Sequence, residues 1–316
     1  MRERRLRHNA AQEPPSCFAF QACADPEAMP MSRSRLMRLC VRCAASLAAA
    51  LLGAGCVKNH TAYALTQTGT ILQFQTNKPT KLTQTATVSG LTSGVGLVQI
   101  VYRPANQTLY CLTSDNHLCT VNPDTGAVAL LGAAFDGDTL RDQVLAFDPV
   151  VDQVRLIASD STAGSGLDNT NLRLSPTDGS VLHSGSGLGY ASGDLNVNKT
   201  PRLGGLSYTN ATAGASNATL YGLDLTTQSL VRVGDKNASA PASADNGALT
   251  TVGSLGVSFG LAGFDIETAD NLGYAALTPT GSGAVLYTVD LDTGAATKID
   301  NIGAGDRVVI SLALKP

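Results

Sequence analysis

Two stretches, "LCTVNPDTGAVALLG" (118–132) and "LYTVDLDTGAATKID" (286–300), decide how this chain folds. Each reads as a strand, a turn carrying Asp-Thr-Gly, and a second strand. A third copy, "LRLSPTDGSVLHSG" (172–185), keeps the turn and moves its acid to Asp178. Two Asp-Thr-Gly triplets also suggest the proton-sharing carboxylates of an aspartic protease, here Asp124 and Asp292. Three features oppose that reading. Pro123 stands where a protease loop would need an apolar strand residue, the third copy shifts its acid, and each triplet joins a repeat strand to its hairpin partner. Pro, Asp and Gly are the residues a tight turn between strands demands. The triplets are read as turns.

Upstream of the turn strands lie runs of one type: "AYALT" (62–66), "TLYCLT" (108–113), "QVRLIA" (153–158), "TLYGLD" (219–224) and "GYAALT" (273–278). Before four of these comes an apolar strand: "GLVQIVYR" (96–103), "QVLAFD" (143–148), "GGLSYT" (204–209) and "GLAGFDIE" (260–267). A unit of four short strands repeating every few dozen residues is the mark of propeller blades. The first unit lacks an inner strand, and the chain ends on an unmatched one, "RVVISLAL" (307–314). Joining the two closes the ring and removes exposed sheet edges. The expected fold is therefore all-β: a β-propeller of five blades, each of four antiparallel strands, closed by the C-terminal strand. Six blades is the main alternative, and a sandwich or solenoid the next.

Composition agrees. Tryptophan is absent, only 15% of the 316 residues are charged, and glycine numbers 32. Thr, Asn, Ser, Gly and Val favour strands and turns. Residues 1–56 hold eight Lys and Arg against four Asp and Glu, while the rest is acidic, with 14 against 21. An acidic body without a basic cluster is a poor match to a phosphate backbone, so nucleic acid is excluded as a partner. The basic segment "MSRSRLMRLCVRCAASLAAALLGAGC" (31–56) has the layout of a secretory signal: arginines, an apolar run, then small residues. It is too short to be a comfortable membrane span. Its "LLGAGC" ending resembles a bacterial lipobox, with Cys56 as the lipidated residue. Residues 1–30 fit none of this, and translation starting at Met31 or Met37 would explain them. The expected organisation is a targeting segment, 1–56, and a single propeller domain, 57–316, in the cell envelope or secreted, held to the membrane only through the lipid. Of seven cysteines, Cys111 and Cys119 alone lie in the body. A hairpin centred on Asp115 sets them opposite each other, close enough for a cross-strand disulfide.

The progression "FDPVVDQVRLIA" (147–158), "NLRLSPTDGSV" (171–181), "GYASGDLN" (189–196), "LSYTNATAGASNATLYGLD" (206–224), "VGSLGV" (252–257), "GLAGFDI" (260–266) and "GYAALT" (273–278) is similar to the bacterial domain-of-unknown-function family 4394. The resemblance runs over essentially residues 60–315. It implies an exported repeat β-structure and brings no catalytic residues with it.

Chemistry is thinly signalled. Arg155 and Arg173 lie mid-strand in neighbouring strands, Asp148 and Asp152 flank the preceding turn, and Asn171 sits two residues before Arg173. Arginine inside a blade has to be paired or has to line a channel or rim. These five residues are the candidate ligand contacts, with ion pairs between strands as the plainer reading. Tyr190 and Tyr208, expected exposed near a long loop, would add an aromatic platform. No cofactor is expected. Calcium would need six to eight oxygens, and neither Asp136, Asp138 and Asp142 nor Asp194 and Asn196 form a recognised loop. His60, His117 and His183 are isolated, so no nucleophile–base arrangement emerges. The expectation is a monomeric binding or interaction module for a protein, glycan or small polar molecule. A propeller hydrolase or lyase and a structural envelope protein are the alternatives. Convergence of Asp148, Asp265 and Arg155 at the channel would favour the enzyme or ligand readings.

Overall fold

A computed structural model describes residues 58–135, 140, 142–158, 170–240 and 242–316. The targeting segment with Cys56, and the acids Asp136 and Asp138, lie outside them. Five small sheets form a ring. The first blade holds β1 (Thr61–Thr66), β2 (Thr70–Gln75) and β3 (Lys78–Thr87). The second is β4 (Leu97–Arg103), β5 (Thr108–Thr113), β6 (Leu118–Val121) and β7 (Val128–Leu131). The third is β8 (Gln143–Asp148), β9 (Gln153–Ala158), β10 (Thr170–Leu174) and β11 (Val181–Ser184). A two-residue strand, β12 (Gly189–Tyr190), precedes the fourth blade: β13 (Leu203–Tyr208), β14 (Ala218–Asp224), β15 (Ser229–Ala238) and β16 (Ala248–Ser254). One short helix, α1 (Ala242–Asp245), interrupts its last connection. The fifth is β17 (Leu261–Glu267), β18 (Leu272–Thr278), β19 (Val285–Val289) and β20 (Ala296–Asn301).

The final strand, β21 (Val309–Leu314), pairs antiparallel with β1 and supplies the inner strand that the first blade lacks. The ring is a five-bladed propeller closed by its C-terminal strand. Inner strands β4, β8, β13, β17 and β21 pack successively around the axis. The fourth blade departs from four antiparallel strands, because β12 adds to β16 in parallel and covers its outer edge.

Burial follows from strand periodicity. Side chains alternate between the two faces of a strand, and a blade buries both faces, one against each neighbour. In β1, Ala62 and Ala64 join a cluster with Tyr274 and Leu286 of the fifth blade. Tyr63 and Leu65, one residue out of phase, join Ile100 and Cys111 of the second. Five such clusters fill the five seams between blades. Second strands therefore read as nearly continuous apolar runs. Cys111 and Cys119 face each other across β5 and β6 with Cα atoms 4.8 Å apart and are joined as a disulfide.

The Asp-Thr-Gly turns stitch the rim. The Asn122 side chain accepts from the Asp124 and Thr125 amides at 2.9 and 3.1 Å, and Asp290 does the same for Asp292 and Thr293, both at 2.9 Å. Each turn meets the end of the preceding blade's outer strand. Ser89 N–H donates to the Gly126 carbonyl at 2.9 Å, and Ala296 N–H donates to the Leu255 carbonyl at 3.1 Å. Corresponding contacts run from Ser186 to Asp245 and from Gly303 to Pro79. Asp124 and Asp292 are exposed on turns of different blades and form no dyad.

Candidate functional site

Arg155 occupies the position in β9 that Tyr63, Tyr110 and Tyr221 hold in the second strands of other blades. It is 1% exposed, and Arg173 of β10 stands directly opposite it. Two like charges across a ladder repel, and Asp245 at the end of α1 resolves the conflict. Its Oδ1 accepts from Arg155 Nη1 at 2.6 Å, while its Oδ2 lies 3.2 Å from Arg173 Nη2 and 3.4 Å from His183 Nε2. Asn171 accepts from Arg155 Nη1 at 2.9 Å and donates to the Ala244 and Ser186 carbonyls. Burial works against the Arg155 charge, yet Tyr208 and Asp245 beside it hold its pKa above the ordinary value. Two of the five candidate residues, Arg155 and Arg173, thus meet on one carboxylate that belongs to the next blade, and a third, Asn171, braces Arg155 beside it. The sequence does not single out Asp245; its one signal is an acid in an otherwise Ala/Ser-rich connection.

Asp148 and Asp152 go elsewhere. Asp148, 3% exposed at the end of β8, accepts from Val150 N–H at 2.9 Å and lines a narrow crevice with Tyr208, Ala218 and Ser243. Burial raises its pKa. Asp152 holds Arg103 of the second blade in a bidentate pair, at 2.9 and 2.5 Å. The two tyrosines expected at the surface are buried: Tyr190 is 8% and Tyr208 6% exposed. Tyr190 is drawn in because β12 adds to the sheet and its hydroxyl donates to Asp224. Tyr208 sits at the seam of the third and fourth blades, its pKa raised by burial.

Asp265 lies apart from these, on β17. Register places it where the other inner strands carry Val101, Ala146, Ser207 and Ala313. Its Oδ1 accepts from Ser207 Oγ of β13 at 2.7 Å and from Ile266 N–H at 2.8 Å, and its Oδ2 accepts from Leu314 N–H of β21 at 2.7 Å. One carboxylate therefore ties three neighbouring inner strands. Burial pushes its pKa up to about 6. Asp265 also lines the floor of a cavity of about 360 Å³, at the end of the ring where the inner strands finish. His60, Tyr102, Thr212, Glu267 and Lys315 complete the mouth. Asp148 and Arg155 do not reach it, so the three residues do not converge. At the opposite end, a recess of about 170 Å³ is lined by Gln99, Gln143 and apolar residues such as Leu203, Leu261 and Ile310. Asp142 pairs there with Arg202 at 2.6 and 2.9 Å. Asp194 binds the amide and hydroxyl of Thr251, pinning its loop to β16. Among the described residues, no three His, Cys, Asp or Glu side chains gather as a metal site. No helix among them is long and apolar enough to cross a membrane.

A family model described as a domain of unknown function (DUF4394) matches residues 70–313. Comparison with curated proteins gave no match. Among solved structures, the chain is similar to the Dos1 propeller at 12% identity and a TM-score of 0.39, covering 75% of this chain and 56% of that one. A protein of unknown function from Bacteroides thetaiotaomicron VPI-5482 shares 14% identity at a TM-score of 0.45, over 79% and 60% of the two chains. TolB from Acinetobacter baumannii shares 12% at 0.45, over 92% and 74%. The chain thus spans less than two thirds of the length of the first two.

Proposed function

The chain belongs to the DUF4394 family, described as a domain of unknown function, and we propose from its own geometry that it is an exported, lipid-anchored propeller acting as a binding module. The reading rests on one observation, the open mouth of about 360 Å³ at the end of the ring where the inner strands finish. A largely apolar cavity with a few fixed hydrogen-bonding groups and an aromatic wall suits a small polar ligand or a glycan terminus. Asp265 is fixed in place by three donors, and Tyr102 supplies the ring. Export and lipidation are supported by the signal-like segment ending at Cys56 and by the disulfide, which belongs to oxidising compartments.

A thermal-shift screen with neutral oligosaccharides, amino sugars and divalent cations tests the mouth. The expected outcome is a ligand whose stabilisation disappears in Thr212→Trp, which fills the cavity, and persists in Ser93→Arg at the other end. Stabilisation that survives Thr212→Trp, or none across the panel, rules the mouth out. A second reading has one observation in its favour: Arg173 and the exposed His183 converge on Asp245 at the surface. That pair would contact an anionic group of a partner, with Arg155 and Asn171 as the buried support.

A further inference from the structure

Which way the ring faces follows from where its N-terminal end is tied down. Lys58 is the first described residue, and it is already fixed to the body. Its carbonyl accepts from Thr76 Oγ1 at 2.7 Å, and that hydroxyl accepts in turn from His60 N–H at 2.9 Å. The Thr76 amide donates to the His60 carbonyl at 2.9 Å, and the Lys58 ammonium pairs with Asp270. Thr76 follows β2, and Asp270 lies in the turn between β17 and β18. Both belong to the end of the ring where the inner strands finish, the end that carries the mouth.

Cys56 is two residues before Lys58. Two extended residues span at most roughly 7 Å. A flexible linker of twenty residues would reach about 25 Å on average and leave the ring free to turn; none separates Cys56 from this clamp. We infer that the end of the ring bearing the mouth lies against the lipid bilayer, and that the opposite end, with its recess at Gln99 and Gln143, faces away from it. This rests on the lipid-anchor reading of Cys56. The tether imposes the orientation, because charge does not. Lys58 and Arg103 are already paired with Asp270 and Asp152, and Lys315 shares the mouth's lining with two acids, Glu267 and Asp265. Among the described residues that line the mouth, basic side chains do not outnumber acidic ones, so no surplus attracts anionic headgroups. The mouth accordingly samples polar groups at the bilayer surface.

The test uses the full chain in its lipidated form, with single cysteines at Ala105→Cys in the turn between β4 and β5, and at Ser93→Cys at the other end. Both positions are exposed, and Cys111 and Cys119 are silent as a disulfide. Reconstituted in vesicles of phosphatidylethanolamine and phosphatidylglycerol, the Ala105→Cys protein should react with a bulky polyethylene-glycol maleimide several-fold more slowly than in detergent. Ser93→Cys should react equally in both. With lipid on Cys56 established by mass spectrometry, equal rates at both positions overturn the orientation. An unmodified Cys56, or a mature chain that lacks it, overturns the anchor reading and the orientation with it. Unlipidated Cys56→Ser protein should not bind the same vesicles, and binding by it would overturn the claim that the tether sets the face.

Discussion

At Gly126 the backbone needs φ +76°, and a Cβ would stand 2.0 Å from the Thr87 carbonyl oxygen of the preceding blade. Gly294 repeats the geometry against Gly253. Asp124, two residues before Gly126, is exposed. Gly126→Ala is expected to lose about 1–3 kcal/mol through backbone strain and displacement of the neighbouring blade. Asp124→Asn should stay within about 0.5 kcal/mol, as surface changes do. Urea midpoints of the two variants check the contrast. Asp265 makes a pH-dependent prediction at the same scale. Its pKa of about 6 lies above the ordinary value near 3.8, because burial opposes the charge. The folded state therefore holds this proton more tightly than the unfolded one. The stability it confers is complete below about pH 4 and lost as pH rises through about 6, up to roughly 3 kcal/mol. Asp148 shifts in the same direction, whereas the exposed Asp178 and the half-buried Asp194 shift the opposite way. The readout is thus the difference between two curves: Tm of the wild type should fall relative to Asp265→Asn from pH 4 to 7. Parallel curves would refute the shift.

Between elements, the decisive contact is the carboxylate that crosses from the fourth blade to the third. Removing one partner of a buried ion pair costs about 3–5 kcal/mol, because the other charge is left buried and uncompensated. Asp245→Ala should approach that loss, since it removes the carboxylate that neutralises Arg155 and leaves Arg173 opposite it. Asp292→Ala breaks a 3.5 Å pair with Lys236 that is exposed on both sides, and should cost less than about 1 kcal/mol. Guanidinium denaturation of both measures the difference. Because other blades hold tyrosine at the Arg155 position, Arg155→Tyr combined with Asp245→Asn should recover part of the loss. A double variant no better than Asp245→Ala would show that the pair contributes more than charge compensation.

For the whole molecule, closure depends on β21. It pairs with β1, and Ser311 exchanges hydrogen bonds with Gln99 and Ile100 of β4. Leu314 N–H reaches Asp265. A chain ending at residue 306 would leave β1 as an open edge and expose two seams. Such a chain is expected to lose its cooperative thermal transition and to associate, as read by far-ultraviolet circular dichroism and size-exclusion chromatography. Adding the peptide 307–316 should restore the transition in part. Retention of the full-length melting curve by the truncated chain would show that the ring does not depend on this strand.

The repeat, its four-strand unit, the closing strand, the cross-strand disulfide and the turn character of Asp124 and Asp292 were all legible in the sequence. Each depends on residues a few positions apart, where periodicity, turn chemistry and hairpin pairing act directly. Asp245 was not legible as the partner of Arg155, nor was the burial of Tyr190 and Tyr208, the added strand β12, or the part of Asp265 in joining three inner strands. These depend on which blades become neighbours. Arg155 and Asp245 are 90 residues apart, and only ring closure and blade twist bring them within hydrogen-bonding reach. Local pattern determined that this chain forms blades. The tertiary structure decided which polar groups the seams bury and which side chains line each end of the ring, because desolvation and pairing act on side chains that local pattern cannot bring together.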